Sequence, residues 1–253
     1  MAVLIQMTLS EDPILVVSDL RKAFGALRAV DGVSFDLSRG EILGVAGPNG
    51  SGKSTLFNAI TRIPFPADDG VVLMEGAPIH ELAPHKIVRR GVVRTFQRES
   101  VFPTLSAIDN VLMAIENSDR RGPFDRNVTL AEHALDLAGF PATLHNWRAG
   151  DLPIFLRKLV MIGAAMAMDP KVLLLDEPAS SLTPEEIDRV RLLILKLRDH
   201  GVSILLIEHV LPLLSGVSDR LMVMDQGRVI ALGEPEAVIR DPRVVEAYLG
   251  TAA

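Results

Sequence analysis

Cysteine is absent from this chain, which excludes disulfides and thiolate metal sites and fits a reducing compartment. Long apolar runs are absent too. The best candidate, LVMIGAAMAM from Leu159, is about half of the roughly 18 to 20 residues that a membrane span requires. The opening MAVLIQMTLSEDP has neither a basic n-region nor an adequate apolar core, so it reads as mature sequence and not as a secretory signal. There is no excess of positive charge. With a net charge of −6 and a pI near 5.5, no broad field favours nucleic acid or anionic lipid. The arginines at 89, 90, 94 and 98 are a local exception and read as a solvated face. Fixed-period repeats and low-complexity tracts are also missing. Together these absences point to a cytoplasmic protein with no nucleic-acid partner.

What is present is enough for a sizeable core. The 253 residues, 48% of them apolar, suit one large α/β domain or a core with a smaller lobe. The mean hydropathy of +0.29 is high enough to anticipate a surface meant for a partner. The first third is β-rich, with ILVVS at 14–18, GVSFDL at 32–37 and a short apolar strand EILGVAG running into glycines. From 104 to about 165 the pattern turns helical. TLSAIDNVLMAIEN places Leu105, Ile108, Val111, Leu112 and Ile115 on one face, and LAEHALDLAGF repeats the pattern before Gly139. After 170, KVLLLDEP, TPEEIDRVRLLILKLRDHG and VSILLIEH alternate strand, helix and strand, a βαβ unit that implies a parallel sheet. Thr183 caps that helix, Pro184 suits its first position, Glu186 completes a capping box and Gly201 stops it. RLMVMDQGRVIAL reads as a hairpin turning at Gly227.

The most specific motif is GPNGSGKST at 47–55, which fits G-x-x-x-x-G-K-[ST] at Gly47, Gly52, Lys53 and Ser54. In such a loop, glycines let successive backbone N–H groups curve around phosphate oxygens, and the following helix points its positive end at them. Lys53 reaches the outer phosphates and Ser54 can ligate Mg²⁺. Pro48, Asn49, Gly50, Ser51 and Thr55 complete the candidate nucleotide-binding set. Three further apolar runs end in polar residues: VLLLDE in Asp176 and Glu177, VVRTFQ in Gln97, and ILLIEH in His209. In an open α/β sheet these ends face the ligand crevice. Asp176 suits Mg²⁺ held through water, and Glu177 suits orienting or deprotonating an attacking water. Singly, the acids also read as a turn or cap, and Gln97 and His209 as surface; following a phosphate loop as a set, they read as a site.

In order and spacing, the phosphate loop, TFQ, LLLDEPASSLTP and LLIEH resemble those of ATP-binding cassette ATPases, and the resemblance spans the chain. GVVRTFQ at 91–97 and the ending GEPEAVIRDPRVVEAYLG are similar to ATPase subunits of branched-chain amino acid importers. The resemblance implies an α/β, P-loop NTPase fold: a mostly parallel central sheet, an N-terminal antiparallel β subdomain and an inserted α-helical subdomain. It divides a single domain into a β-rich and phosphate-loop part at 1–97, a helical part at 98–165, a second core part at 166–232 and a tail at 233–253. It implies ATP and Mg²⁺ as cofactors, Glu177 as catalytic base, His209 on the γ-phosphate, Gln97 as a metal sensor and Asp176 and Ser54 as metal supports. Phe24 is implied to stack on adenine, with a core position as its alternative. The segment 180–183 is implied to meet a second ATPase subunit. Permease subunits would dock the helical part, a periplasmic binding protein would act indirectly, and the chain would sit on the inner face of the membrane.

One segment departs from the resemblance. The signature L-S-G-G-Q of such ATPases ends twenty residues before the aspartate that corresponds here to Asp176, which places it on LPIFL at 152–156. Pro153 removes a hydroxyl and a backbone N–H, Ile154 and Phe155 add bulk where phosphate would approach, and Leu156 cannot hydrogen-bond. The expectation is a heterodimer in which another subunit supplies an intact signature. A weakly active regulatory module and an exporter-type ATPase are the alternatives.

Overall fold

The computed structural model describes residues 12–96 and 100–249. Gln97 and Arg98 therefore lie outside the described residues. Two long antiparallel strands, β1 (Pro13–Phe24) and β2 (Leu27–Ser38), open the chain and turn at Gly25. β3 (Ile42–Ala46) follows, then helix α1 (Lys53–Thr61), and then β4 (Asp69–Met74), which returns to pair with β1 and carries the two-residue β5 (Ala77–Pro78). Sheet order β2-β1-β4-β5 makes this the antiparallel sheet expected at the N-terminus.

The second sheet takes in the rest. A short α2 (Pro84–Arg89) leads to β6 (Val92–Arg94), and three helices follow: α3 (Ala107–Glu116), α4 (Phe124–Leu137) and α5 (Ile154–Ala167). The chain then alternates through β7 (Val172–Asp176), α6 (Pro184–Asp199), β8 (Ser203–Ile207) and α7 (Leu211–Val217). β9 (Arg220–Asp225) and β10 (Arg228–Gly233) form the late hairpin, and α8 (Pro235–Ile239) and α9 (Pro242–Leu249) close the chain. Strand order is β10-β9-β3-β8-β7-β6, parallel throughout except for β10 at the edge.

Every residue of β3, β7 and β8 is buried, as strands covered on both faces require. The two-residue period divides their side chains between two cores. Leu174, Leu205 and Val45 pack with α1 and the antiparallel sheet, whereas Leu173, Leu175 and Leu206 pack with the helices from α3 to α7. α1 is thus held between the sheets by Leu56, Phe57 and Ile60.

Local signals behave as expected at α6, where Thr183 and Glu186 form a complete capping box and Gly201 takes a positive φ just past the end. The hairpin turns at Gln226 and Gly227, both with positive φ. The helical stripe around 105–115 needs one correction. Ser106 caps α3 by accepting from the Asp109 N–H, so Leu105 precedes the helix; the most buried positions are Ala107, Asn110, Val111 and Ile115, with Ile108 and Leu112 packed beside them.

Candidate functional site

The loop from β3 to α1 is shaped by its neighbours. Gly47 has φ +146°, and a Cβ there would collide with the Met224 carbonyl oxygen; at Gly52, φ +104°, it would collide with the Ala29 carbonyl. Only glycine tolerates both the conformation and the contact. The loop is also tied from behind, because Gly227 N–H donates to the Ser51 carbonyl at 3.0 Å. Lys53 Nζ folds onto its own loop, donating to the carbonyls of Gly47 (2.8 Å) and Pro48 (3.0 Å). Burial holds its ammonium pKa below the usual lysine range, against the opposing fields of Glu177 and Asp176.

In front of the loop lies a cavity of ≈ 730 Å³, large enough for a nucleotide, whose lining includes Phe24, Lys53, Ser54, Thr55, Glu177 and Gln226. Asn49, Gly50, Ser51 and Gly52 line it too, whereas Pro48 contributes only its carbonyl to Lys53. Phe24 is 46% exposed at the cavity wall and meets Phe65 edge-on at 5.0 Å, which sets aside the core alternative.

The parallel register brings the carboxyl ends of β7 and β8 alongside this loop, with Asp176 paired to Ile207 and Val45 paired to the same residue from the other side. Glu177, with φ +50°, donates its N–H to the Ile207 carbonyl, and its side chain lines the cavity. Asp176 is buried behind it. Arg94, read from sequence as part of a solvated face, is instead buried: Nη2 donates to Asp176 Oδ2 at 2.6 Å and Nη1 to Asn58 Oδ1 at 2.7 Å. The reason is its place in β6, where β7 and α1 flank it and Phe57 and Phe96 present rings to the guanidinium. Burial pushes the Asp176 carboxyl pKa upward, and the paired guanidinium opposes that shift. Of its neighbours in the arginine cluster, Arg89 is exposed and pairs with Asp119.

Asp176 Oδ1 is buried without a hydrogen-bond partner. An orphaned carboxylate oxygen behind a hydroxyl-bearing loop is the donor chemistry that a hard cation requires. Among the described residues no three His, Cys, Asp or Glu side chains converge, so Mg²⁺ here would depend on Ser54, Asp176, water and phosphate oxygens, and it would serve to neutralise phosphate charge.

His209 is not among the residues lining the cavity. Its side chain is largely exposed, and its N–H donates to the carboxylate of Glu208, which is itself fully buried and accepts the Ala179 N–H at 2.6 Å. Glu208 thereby ties the His209 backbone to the loop after β7. Lys158 of α5 reaches that loop as well, donating to the Glu177 carbonyl (3.2 Å) and to Ser180 Oγ (3.0 Å). Neither residue was singled out in the sequence, although a glutamate inside ILLIEH and a lysine within an apolar helix are both expensive to bury unless paired. Gln226 and Arg28 also line the cavity, and nothing in their sequence setting marks them.

The LPIFL segment sits at the start of α5. Leu152 is buried, Pro153 occupies the N-cap without a side-chain hydrogen bond, and Ile154 stands exposed. Phe155 does not face outward as the sequence suggests. It is 5% exposed, packs in the helical core and lies under the Arg189 guanidinium, 4.6 Å from the ring centre. Helical periodicity turns it inward, leaving Pro153 and Ile154 as the outward bulk.

The sequence matches the family described as ABC transporter over residues 30–180, and the family described as branched-chain amino acid ATP-binding cassette transporter over 228–253. It is 37% identical to the high-affinity branched-chain amino acid transport ATP-binding protein BraF of Pseudomonas aeruginosa, covering 95% of this chain and 99% of that protein. It is 36% identical to LivG of Escherichia coli, a protein of the same description, with the same coverage. A nucleotide-free ATP-binding cassette from an ABC transporter superposes with a TM-score of 0.86 at 33% identity, covering 94% of this chain and 99% of that one. The ADP conformation of the cassette MJ1267 gives 0.82 at 33% identity, with the same coverage. A phosphate loop ahead of a nucleotide-sized cavity, two carboxylates at the strand end beside it and a chain-long similarity to cassettes of this kind lead to one conclusion: this protein belongs to the ABC transporter family and is one of its ATP-binding, ATP-hydrolysing cassettes.

Proposed function

We propose that this cassette powers the import of branched-chain or closely related amino acids, and that it does so in a heterodimer. The observation that carries the substrate class is the similarity to BraF and LivG along the whole chain, continuing into the C-terminal match at 228–253. In this reading ATP lies on 49–55 with its base against Phe24, Lys53 swings from its own carbonyls to the outer phosphates, Ser54 and Asp176 support Mg²⁺, and Glu177 holds the attacking water. Gln97 and His209 keep the roles that the resemblance implies. His209, exposed and away from the cavity wall, would have to move to reach the γ-phosphate.

The heterodimer rests on α5. Pro153 offers neither hydroxyl nor N–H and Ile154 is apolar, so the positions where the signature has serine and glycine contribute no donor to a partner's phosphate. The partner's intact signature would complete the site built on Lys53, while the reciprocal site would stay weak. Permease subunits would dock on the apolar groove of the helical lobe, ≈ 220 Å³, lined by Phe102, Met113, Val160 and Met161. Among the described residues no helix is long and apolar enough to cross a membrane, so residence on the inner membrane face would come from those permeases.

Steady-state ATP hydrolysis tests the pairing. The chain alone should turn over slowly, and addition of a partner ATPase with an intact signature should give activity that Lys53→Ala in this chain removes. Brisk Lys53-dependent turnover by the chain alone would refute the heterodimer. Leucine uptake by proteoliposomes holding permeases, both ATPases and a binding protein tests the substrate class.

A further inference from the structure

The C-terminal helix reaches the phosphate loop at one point. Tyr248 Oη accepts the backbone N–H of Gly47, the first residue of the loop, at 2.9 Å. α9 brings it there by burying Val244 against the core while Tyr248 itself remains 38% exposed. Gly47 is gripped on both sides, since its carbonyl accepts Lys53 Nζ at 2.8 Å. Its backbone lies at φ +146°, a conformation open to glycine. The β9–β10 hairpin adds the Gly227 N–H to the Ser51 carbonyl, so both ends of the loop are fastened by residues from the last part of the chain.

These contacts respond differently when phosphate arrives. Lys53 must leave the Gly47 carbonyl to reach the phosphates, as the site proposed above requires, whereas Tyr248 has no such call on it. Burial raises the Tyr248 phenol pKa above its ordinary value, so the hydroxyl stays neutral at physiological pH and keeps its acceptor lone pairs for Gly47.

We infer that Tyr248 is a positioning residue for nucleotide: its hydroxyl holds the start of the phosphate loop in binding geometry and couples loop occupancy to the C-terminal helix. The coupling is reciprocal by linkage. If the contact favours the nucleotide-bound loop, nucleotide in turn alters the surroundings of Tyr248.

The chain contains one tyrosine, so full-length protein made with fluorotyrosine carries a single fluorine resonance, at this position. Titration with ADP is expected to shift or broaden that resonance in step with site occupancy. Tyr248→Phe keeps the ring and deletes the hydroxyl; it is expected to weaken ADP about three- to tenfold by calorimetry, the worth of one ordinary hydrogen bond. Lys53→Ala is the reference. If Lys53→Ala binds ADP as well as the parent chain does, the nucleotide is not on this loop and the site placement fails. If Lys53→Ala loses ADP while Tyr248→Phe binds as tightly as the parent, or the resonance stays still through saturation, the tyrosine coupling is overturned and the site placement stands. The fluorine measurement on the unsubstituted chain decides the matter should Tyr248→Phe fail to fold.

Discussion

α1 and α5 both begin without a side-chain cap, and what surrounds the two helix starts is opposite in character. The first turn of any helix leaves backbone N–H groups without internal partners. At α1 the loop ahead of the helix lines a ≈ 730 Å³ cavity, with Lys53 adjacent and two glycines whose missing Cβ atoms let the Met224 and Ala29 carbonyls pack against the loop. At α5 a proline stands at the N-cap, an isoleucine covers it, and a phenylalanine anchors the turn in the core. The same backbone device faces an open cavity in one place and carries apolar bulk in the other. Phosphate recognition is thus a property of the side chains around a helix start and of the backbone freedom granted by glycine, not of the helix start alone. In the heterodimer proposed above, the α1 start would supply this chain's half of a shared site and the α5 start would leave the reciprocal half to the partner.

The largest expected effect breaks or upholds the competent half. Glu177→Gln, assayed with a partner that carries an intact signature, should lower turnover by about 10² to 10⁴-fold while ADP still binds, as loss of a positioned general base does. Turnover at the parent rate would remove Glu177 from the chemistry. Arg94→Met sharpens the same half through stability. Asp176 would remain buried beside a thioether in place of a guanidinium, and breaking a buried pair in this way costs about 3–5 kcal/mol, measurable as a lower midpoint in urea. A loss below about 1 kcal/mol, the usual worth of an exposed pair, would mean that Asp176 is better hydrated than its burial implies.

How much of this was legible in advance differs along the chain for physical reasons. The phosphate loop, the βαβ unit, the Thr183 capping box and the late hairpin were all readable, because each depends on residues close in sequence whose chemistry is local. Arg94 was misread because charge counting treats an arginine as solvated, whereas its burial depends on β7 and α1, far away in sequence. A basic residue in the middle of VVRTFQ, three places before a candidate site residue, was the available signal. Phe155 was misread because aligning a motif assigns every position the role of its counterpart, while the helix assigns it a direction. Tyr248 was quoted only within a resemblance; its bond to Gly47 spans 201 positions, and no local pattern announces such a contact. Gln97 lies outside the described residues, so its role stays an expectation.

The α5 half of the comparison calls for a more careful substitution than restoring the whole signature. Phe155 is a buried anchor, and Phe155→Ala should cost about 3–5 kcal/mol in a denaturation experiment for cavity formation, which would mask any catalytic gain. Restoring Ser-Gly-Gly-Gln throughout would therefore confound packing with chemistry. The triple change Pro153→Ser, Ile154→Gly and Leu156→Gln leaves Phe155 in place, returns a hydroxyl and an N–H to the helix start and removes the outward bulk. One regained charge-assisted hydrogen bond to phosphate is worth about 1.5–3 kcal/mol. Part of it is offset by about 1 kcal/mol for glycine in a first turn. The net expectation is a rise of roughly tenfold in ATP hydrolysis by the chain assayed alone, removed by Lys53→Ala in the same protein. An unchanged rate with an intact fold would mean that the serine hydroxyl is not what this helix start lacks. The barrier would then lie with Phe155, whose bulk holds the turn in place, and the two helix starts would differ in backbone position as well as in side chains.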